Sequence, residues 1–203
     1  MGNNVVNYLA GRHHRRSIRL KDYDYSRAGA YFVTICSWNK ECIFGDIVDR
    51  EIRLNEFGQI VKKEWLQTGD VRQNVKLGEF IVMPNHVHGI LEIADYGRGT
   101  LQRAPTKEQF GKPVSNSIPT IIRLFKSATT KQINIFCNTP GIPVWQRNYY
   151  EHIIRNEKEL YTIREYIRNN PFKWDLDENN PVNIKQNIFV RAGSPRPQRQ
   201  CPW

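Results

Sequence analysis

Two histidines stand two residues apart in "MPNHVHGI", residues 83–90. Val87 separates His86 from His88, and Gly89 follows. In a β-strand alternate side chains share a face, so the two imidazoles would project together while Val87 faces the other way. Such a pair can share a metal ion, or divide the work of acid and base. Two ligands are too few for a closed structural site. They suit a catalytic metal that keeps positions open for water and a phosphate oxygen. The plainer alternative is a pair of partly buried strand histidines with no chemistry, and the spacing by itself leaves both open.

A second candidate set lies downstream, in "NEKELYTIREYIRNNPFKW" (156–174). Tyr166 and Asn170 are four apart, hence neighbours on one helical face, roughly 40° from each other. Tyr161 falls about 140° away from Tyr166 around the axis and cannot share that face. A tyrosine can be a covalent nucleophile, and an asparagine oxygen beside it can be a third metal ligand. Pro171 biases Asn170 away from helical angles, so the helix is expected to end just there. Equally, Tyr166 can be an ordinary core aromatic beside Ile163 and Ile167.

These residues need a scaffold. "AYFVTICSW" (30–38) is rich in β-branched and aromatic residues and reads as a strand. "LNEFGQIVKKEWLQ" (54–67) carries Phe57, Ile60, Val61 and Trp65 at helical spacing, with Asn55 as its cap. Residues 76–83 and 86–93 read as two strands broken only by Pro84–Asn85, a tight turn. Residues 117–134 form a second helix, with Ile121, Ile122, Phe125 and Ala128 inward and Arg123, Lys126 and Lys131 outward. A further strand lies within 144–154, and Asn156 with Glu159 caps a third helix that buries Leu160, Ile163 and Ile167. The order is β-α-β-β-α-β plus a C-terminal helix. It predicts α+β: helices on a mainly antiparallel, ferredoxin-like sheet.

Around this core, residues 1–27 read as a basic arm, 28–178 as the domain, 95–116 as a flexible insertion loop, and 179–203 as a basic, disordered tail. With 203 residues, 39% hydrophobic, the chain is one globular domain with tails. Thirty Lys and Arg against 20 Asp and Glu give a net charge of +10, which points to a polyanionic partner, most often nucleic acid. Cysteines at 36, 42, 137 and 201 show no CxxC spacing, which argues against zinc fingers and thioredoxin-type sites. No apolar run approaches the ~20 residues of a membrane span, and the first residues lack a signal-peptide core. A reduced, cytoplasmic setting is expected. His13 and His14 sit among arginines and read as part of the solvated arm.

In this order, "MPNHVHGI", "WQRNYYEHIIRN" and "EYIRNNPFKW" resemble the HUH single-tyrosine transposases. These are the insertion-sequence 200-like enzymes, and the likeness is greatest to the REP-associated tyrosine transposase branch. The opening "RRSIRLKDYDYSRAGAYFVTICSWNKECIFGDI" is typical of that branch, and the resemblance runs from about residue 15 to 175. It implies a ferredoxin-like palm with the histidine pair on a central strand, a Mg²⁺ or Mn²⁺ site, and a tyrosine that attacks a single-stranded DNA phosphate. On that resemblance His86 and His88 match the pair, Tyr166 matches the nucleophile, and Asn170 falls where relatives carry a Gln or Asn ligand. The implied activity is cleavage and joining of single-stranded or REP-like hairpin DNA through a 5′-phosphotyrosine, by a monomer or homodimer.

The basic residues are then expected to track phosphates: Arg15 and Arg16 in the arm, and Arg123, Lys126 and Lys131 on the second helix. Trp145, Tyr149 and Tyr150 could stack on bases or pack in the core. His152 could touch DNA or make a structural hydrogen bond. Two rivals stand beside this reading. A domesticated relative would hold hairpins without cutting, although all four candidate side chains are present. A histidine phosphoesterase acting on RNA usually uses two separate His motifs, whereas one HxH occurs here.

Overall fold

The computed structural model describes residues 23–94 and 114–185. The elements in order are β1 (Gly29–Cys36), β2 (Gly45–Val48), β3 (Glu51–Leu54), α1 (Glu56–Asp70), β4 (Val75–Met83), β5 (His86–Ile93), α2 (Ile118–Cys137), β6 (Tyr150–Ile154), α3 (Glu157–Arg168) and α4 (Pro181–Lys185). Short 3-10 turns span Trp38–Lys40 and Pro171–Leu176. The main sheet runs β4-β5-β1-β6, with every neighbouring pair antiparallel. Setting the β2–β3 hairpin aside, this is the β-α-β-β-α-β succession, and the fold is α+β as expected. β5, which carries the histidines, lies between β4 and β1.

The helices begin where their caps place them. Asn55 accepts from the Gly58 amide, Ser117 from Thr120, and Asn156 from Glu159. The Glu159 carboxylate reaches back to the Arg155 amide, which completes a reciprocal cap close to the anticipated one. α1 and α2 cover one face of the sheet. There Tyr31, Val33, Ile35, Val87 and Leu91 pack with Val61, Trp65, Ile121, Ile122 and Phe125 in the larger apolar cluster. α3 covers the other face, where Phe32, Ile90, Ile154 and Ile167 form a small one.

Three expectations change. The β2–β3 hairpin was not legible, because its turn residues Asp49 and Arg50 adopt φ of 54° and 65° without the Asn-Gly or Asp-Gly that usually announces two left-handed positions. The arm does not extend to residue 27: Tyr25 is buried, its carbonyl accepts from the Ile118 amide at 3.1 Å, and Tyr23 hydrogen-bonds the Tyr31 hydroxyl. The domain does not stop at 178 either, since Asn179 and Asn180 are buried and Pro181–Lys185 is helical. Both segments hold polar groups that dock onto partners in the fold, a pattern hydrophobic periodicity does not register. Residues 1–22 with Arg15 and Arg16, residues 95–113 of the insertion loop, and residues 186–203 of the tail lie outside the described residues.

Candidate active site

The register of the sheet places His86 opposite Cys36 and Met83, and His88 opposite Thr34 and Ile81. Both imidazoles are buried, and their Nε2 atoms face each other at 3.0 Å. His86 Nδ1 meets Asn85 Oδ1 at 2.8 Å, and His88 Nδ1 meets the Thr34 hydroxyl at 2.8 Å. Burial is the main force lowering both pKa values. His86 falls to about 3, with Lys40 adding to the effect, and His88 falls well below its usual 6.5, with His86 adding. Both rings are therefore neutral near pH 7, the form that ligates metal.

Gly89 has a physical reason on the opposite face. A Cβ there would lie 2.3 Å from Trp65 Cζ2, so only glycine lets the indole lie against the strand beside the histidines.

α3 carries Tyr166 to this point. Ile163 and Ile167 pack it onto the small apolar cluster. Arg164 pairs with Glu79 at 2.8 Å and with Glu92 at 3.6 Å, and Arg168 also pairs with Glu79, which ties the helix to β4 and β5. The Tyr166 hydroxyl lies 3.2 Å from His88 Nε2, and its ring stands edge-on to Phe32. Tyr166 is 41% exposed, which leaves a path for a phosphate, whereas Tyr161 is 65% exposed and lies about 140° from it around the helix axis. α3 ends at Arg168, two residues earlier than expected. Asn170 nevertheless keeps right-handed angles (φ −60°, ψ −42°) despite Pro171, and caps the following 3-10 turn.

That turn delivers a residue the sequence reading missed. Asp177 is buried, and its carboxylate lies with the two histidine rings so that one ligand atom from each falls within 4.8 Å of the others. Asn170 donates from Nδ2 to Asp177 Oδ2 at 3.2 Å. The Asn170 side-chain oxygen, Oδ1, is buried and has no partner within hydrogen-bond distance. A buried acceptor left over in this way calls for an explanation, and a cation supplies one. Two imidazole nitrogens, an amide oxygen and a carboxylate are a donor set suited to a divalent cation. The signal for Asp177 was slight: one acid in "DLDENN", beyond a proline and outside any helical period. The same turn affects Tyr166, whose pKa is pushed up to about 12 by burial first and then by the charges of Asp177 and Glu178, with Asn170 opposing.

The expected phosphate contacts fare unevenly. Arg123 and Lys131 are exposed on α2, across the sheet from the histidines. Lys126 is occupied: its ammonium donates to the Gln146 and Asn148 carbonyls at 3.0 Å each and lies over the Tyr149 ring. Trp145 is core, its indole N–H donating to Thr129, and Tyr149 is half-buried. Tyr150 alone of the three is well exposed, and it shares the histidine face. His152 is held by Glu159 at 2.7 Å.

No protein-family model matches the chain. An uncharacterized Haemophilus influenzae protein is 46% identical over 179 residues, covering 86% of this chain and 97% of that one. A second H. influenzae protein, named a putative REP-associated tyrosine transposase, is 26% identical over 151 residues and 74% of each chain. The solved structure of a REP-associated tyrosine transposase bound to a REP hairpin superposes with a TM-score of 0.50 at 17% identity, over 87% of this chain and 92% of that one. In sequence the chain resembles the REP-associated tyrosine transposase named above, and in fold the solved one. Their fold is also its fold, and the histidine strand, the tyrosine helix and the turn after it all lie within the described core. Among the described residues no helix is long and apolar enough to cross a membrane.

Proposed function

We propose that the protein is a divalent-metal-dependent transposase that cuts and rejoins single-stranded or hairpin DNA through Tyr166. The observation that carries this reading is the convergence of the His86 and His88 Nε2 atoms, the Asp177 carboxylate and the Tyr166 hydroxyl, with the Asn170 side chain bonded to that carboxylate. His86, His88, Asn170 and Asp177 would hold Mg²⁺ or Mn²⁺, which when bound polarises a phosphate oxygen as a Lewis acid.

Tyr166 gives its phenolic proton to water as its oxygen bonds to phosphorus, the P–O3′ bond breaks, and the departing 3′-oxygen takes up a proton to leave as a hydroxyl. The 5′-phosphotyrosine that forms keeps the energy of the broken ester, so rejoining needs no nucleotide cofactor. The burial that holds Tyr166 protonated also keeps its ring in place against Phe32 and His88. A cation held by Asp177 would offset what that carboxylate does to the phenol.

The proposed partner is a REP-like hairpin, as in the solved relative. Arg15, Arg16, Arg123 and Lys131 supply phosphate contacts away from the cleaved bond, and the protein works in the cytoplasm as a monomer or homodimer. The test is a hairpin oligonucleotide with a single-stranded flank, incubated with the protein and Mn²⁺. A covalent protein–DNA adduct on Tyr166 that EDTA prevents is the expected result. Tight hairpin binding with no adduct under any metal would instead mark a domesticated binding protein.

A further inference from the structure

We propose that Asn85 is the positioning residue that decides which nitrogen of His86 faces the site, and that it links this choice to the segment carrying Asp177. Asn85 is fully buried in the tight turn between β4 and β5. Its amide nitrogen donates to two backbone carbonyls, Lys40 at 2.8 Å and Asn179 at 2.7 Å. Both acceptors are carbonyls with no proton to give, so the NH₂ group must face them and the amide cannot be flipped. Its oxygen is then forced toward His86 Nδ1, 2.8 Å away. An amide oxygen only accepts, so Nδ1 carries the proton and His86 Nε2 presents a bare lone pair to the site. A metal-ligating histidine is commonly fixed by such a partner.

His88 is held differently. Its Nδ1 partner is the Thr34 hydroxyl, which can donate or accept. The Nε2–Nε2 contact at 3.0 Å needs one proton between two nitrogens, and with His86 locked it comes from His88. In the metal-free protein His88 therefore carries its proton on Nε2 while Thr34 donates to Nδ1. With Nε2 given to a cation, His88 would carry its proton on Nδ1 and Thr34 would accept it. One ligand is preset and the other adapts.

The same amide ties the two halves of the site together. Asn179, whose carbonyl Asn85 holds, donates its own backbone N–H to Asp177 Oδ1 at 2.6 Å. Asn85 thus fixes His86 and the Asp177 turn at once, although 94 residues separate it from Asn179.

The metal arm of the test rests on the function proposed above, and the tautomer arm does not. The full chain with ¹⁵N-labelled histidine is examined by NMR without metal at neutral pH, and His86 is assigned among the five histidines by comparison with His86→Gln. The expected result is a protonated Nδ1 and a bare Nε2 on His86. In Asn85→Ala that preference should be lost, and Mn²⁺ affinity by calorimetry should fall roughly 10- to 100-fold. A wild-type His86 protonated on Nε2 overturns the proposal even if the alanine variant cannot be made. So does an alanine variant with an unchanged tautomer and unchanged Mn²⁺ affinity. If the wild type shows the expected tautomer but binds no Mn²⁺, the metal reading fails and the positioning role stands.

Discussion

The two faces of the main sheet obey different rules. Under α1 and α2, β5 contributes Val87, Leu91 and a bare Gly89, and the neighbours are apolar and interlocked. Under α3, the same strand contributes His86, His88 and Ile90, and the neighbours include Thr34, Asn170 and Asp177. A strand's alternation thus sends packing one way and chemistry the other. The difference teaches where stability resides. Buried polar groups add little net stability even when satisfied, and an unsatisfied acceptor such as Asn170 Oδ1 costs about 1–3 kcal/mol. The dry face has to hold the domain together so that the other can keep these groups in place.

Changes on the chemical face should therefore abolish activity without unfolding the protein. Tyr166→Phe keeps the ring against Phe32 and deletes one half-exposed oxygen. Adduct formation should disappear, with a loss on the order of a thousandfold or more in cleavage, while hairpin affinity and the melting temperature stay put. An adduct that persists, or maps to Tyr149, Tyr150 or Tyr161, would overturn the assignment. On the dry face the pattern reverses. Gly89→Ala forces a methyl into Trp65 and should cost about 1–3 kcal/mol in urea denaturation. Adding Trp65→Phe should make the double variant less unstable than the sum of the singles, because the clash and the ring are the same interaction. Additive costs would mean that Gly89 is there for some other reason.

How far these faces were readable follows from the same contrast. Element order, the inward sides of α2 and α3, and the pairing of His86 with His88 all come from periodicities of two and 3.6, which a packed scaffold obeys. Asp177 and Asn85 obey neither. Asp177 arrives through a 3-10 turn, and Asn85 looks like any turn asparagine until Lys40 and Asn179 are brought to it from distant parts of the chain. Lys126 shows a related effect. It stands on the outward side of α2 by period, yet its long side chain folds back onto the loop before β6.

Acidity should separate the faces in a third way. Folded His86 stays neutral down to about 3 and His88 stays neutral well below its usual value, whereas both take up protons near 6.5 when unfolded. Below pH 6.5 the unfolded chain binds more protons, so stability is full above that value and falls as pH drops toward about 3. Each histidine contributes up to about 1.4 kcal/mol per pH unit. Urea midpoints at pH 7.5 and 5.5 should differ by this mechanism, and His86→Gln should reduce the difference. The lowered carboxylates, Glu79 and Glu159, act only nearer their usual 4.5, so this window reads the histidines. A wild-type midpoint that is flat between those pH values would show that the imidazoles protonate without resistance.

The smallest effects belong to α2, and they test whether the dry side of the molecule has any part in binding DNA. Lys126 and Lys131 sit on the same helix, one tied to two carbonyls and one exposed. Lys126→Ala removes charge-assisted hydrogen bonds that fasten the loop before β6, so it should lower stability by about 1 kcal/mol, with hairpin binding keeping its dependence on salt. Lys131→Ala should leave stability alone. If Lys131 meets a phosphate, the variant weakens binding and flattens the plot of log affinity against log salt by about one unit. The two variants are controls for each other, since both remove one positive charge from one helix. Equal flattening by both would point to the net charge of the helix rather than to a contact. An unchanged slope for Lys131→Ala, repeated for Arg123→Ala, would confine DNA to the histidine face and leave α2 with packing as its whole task.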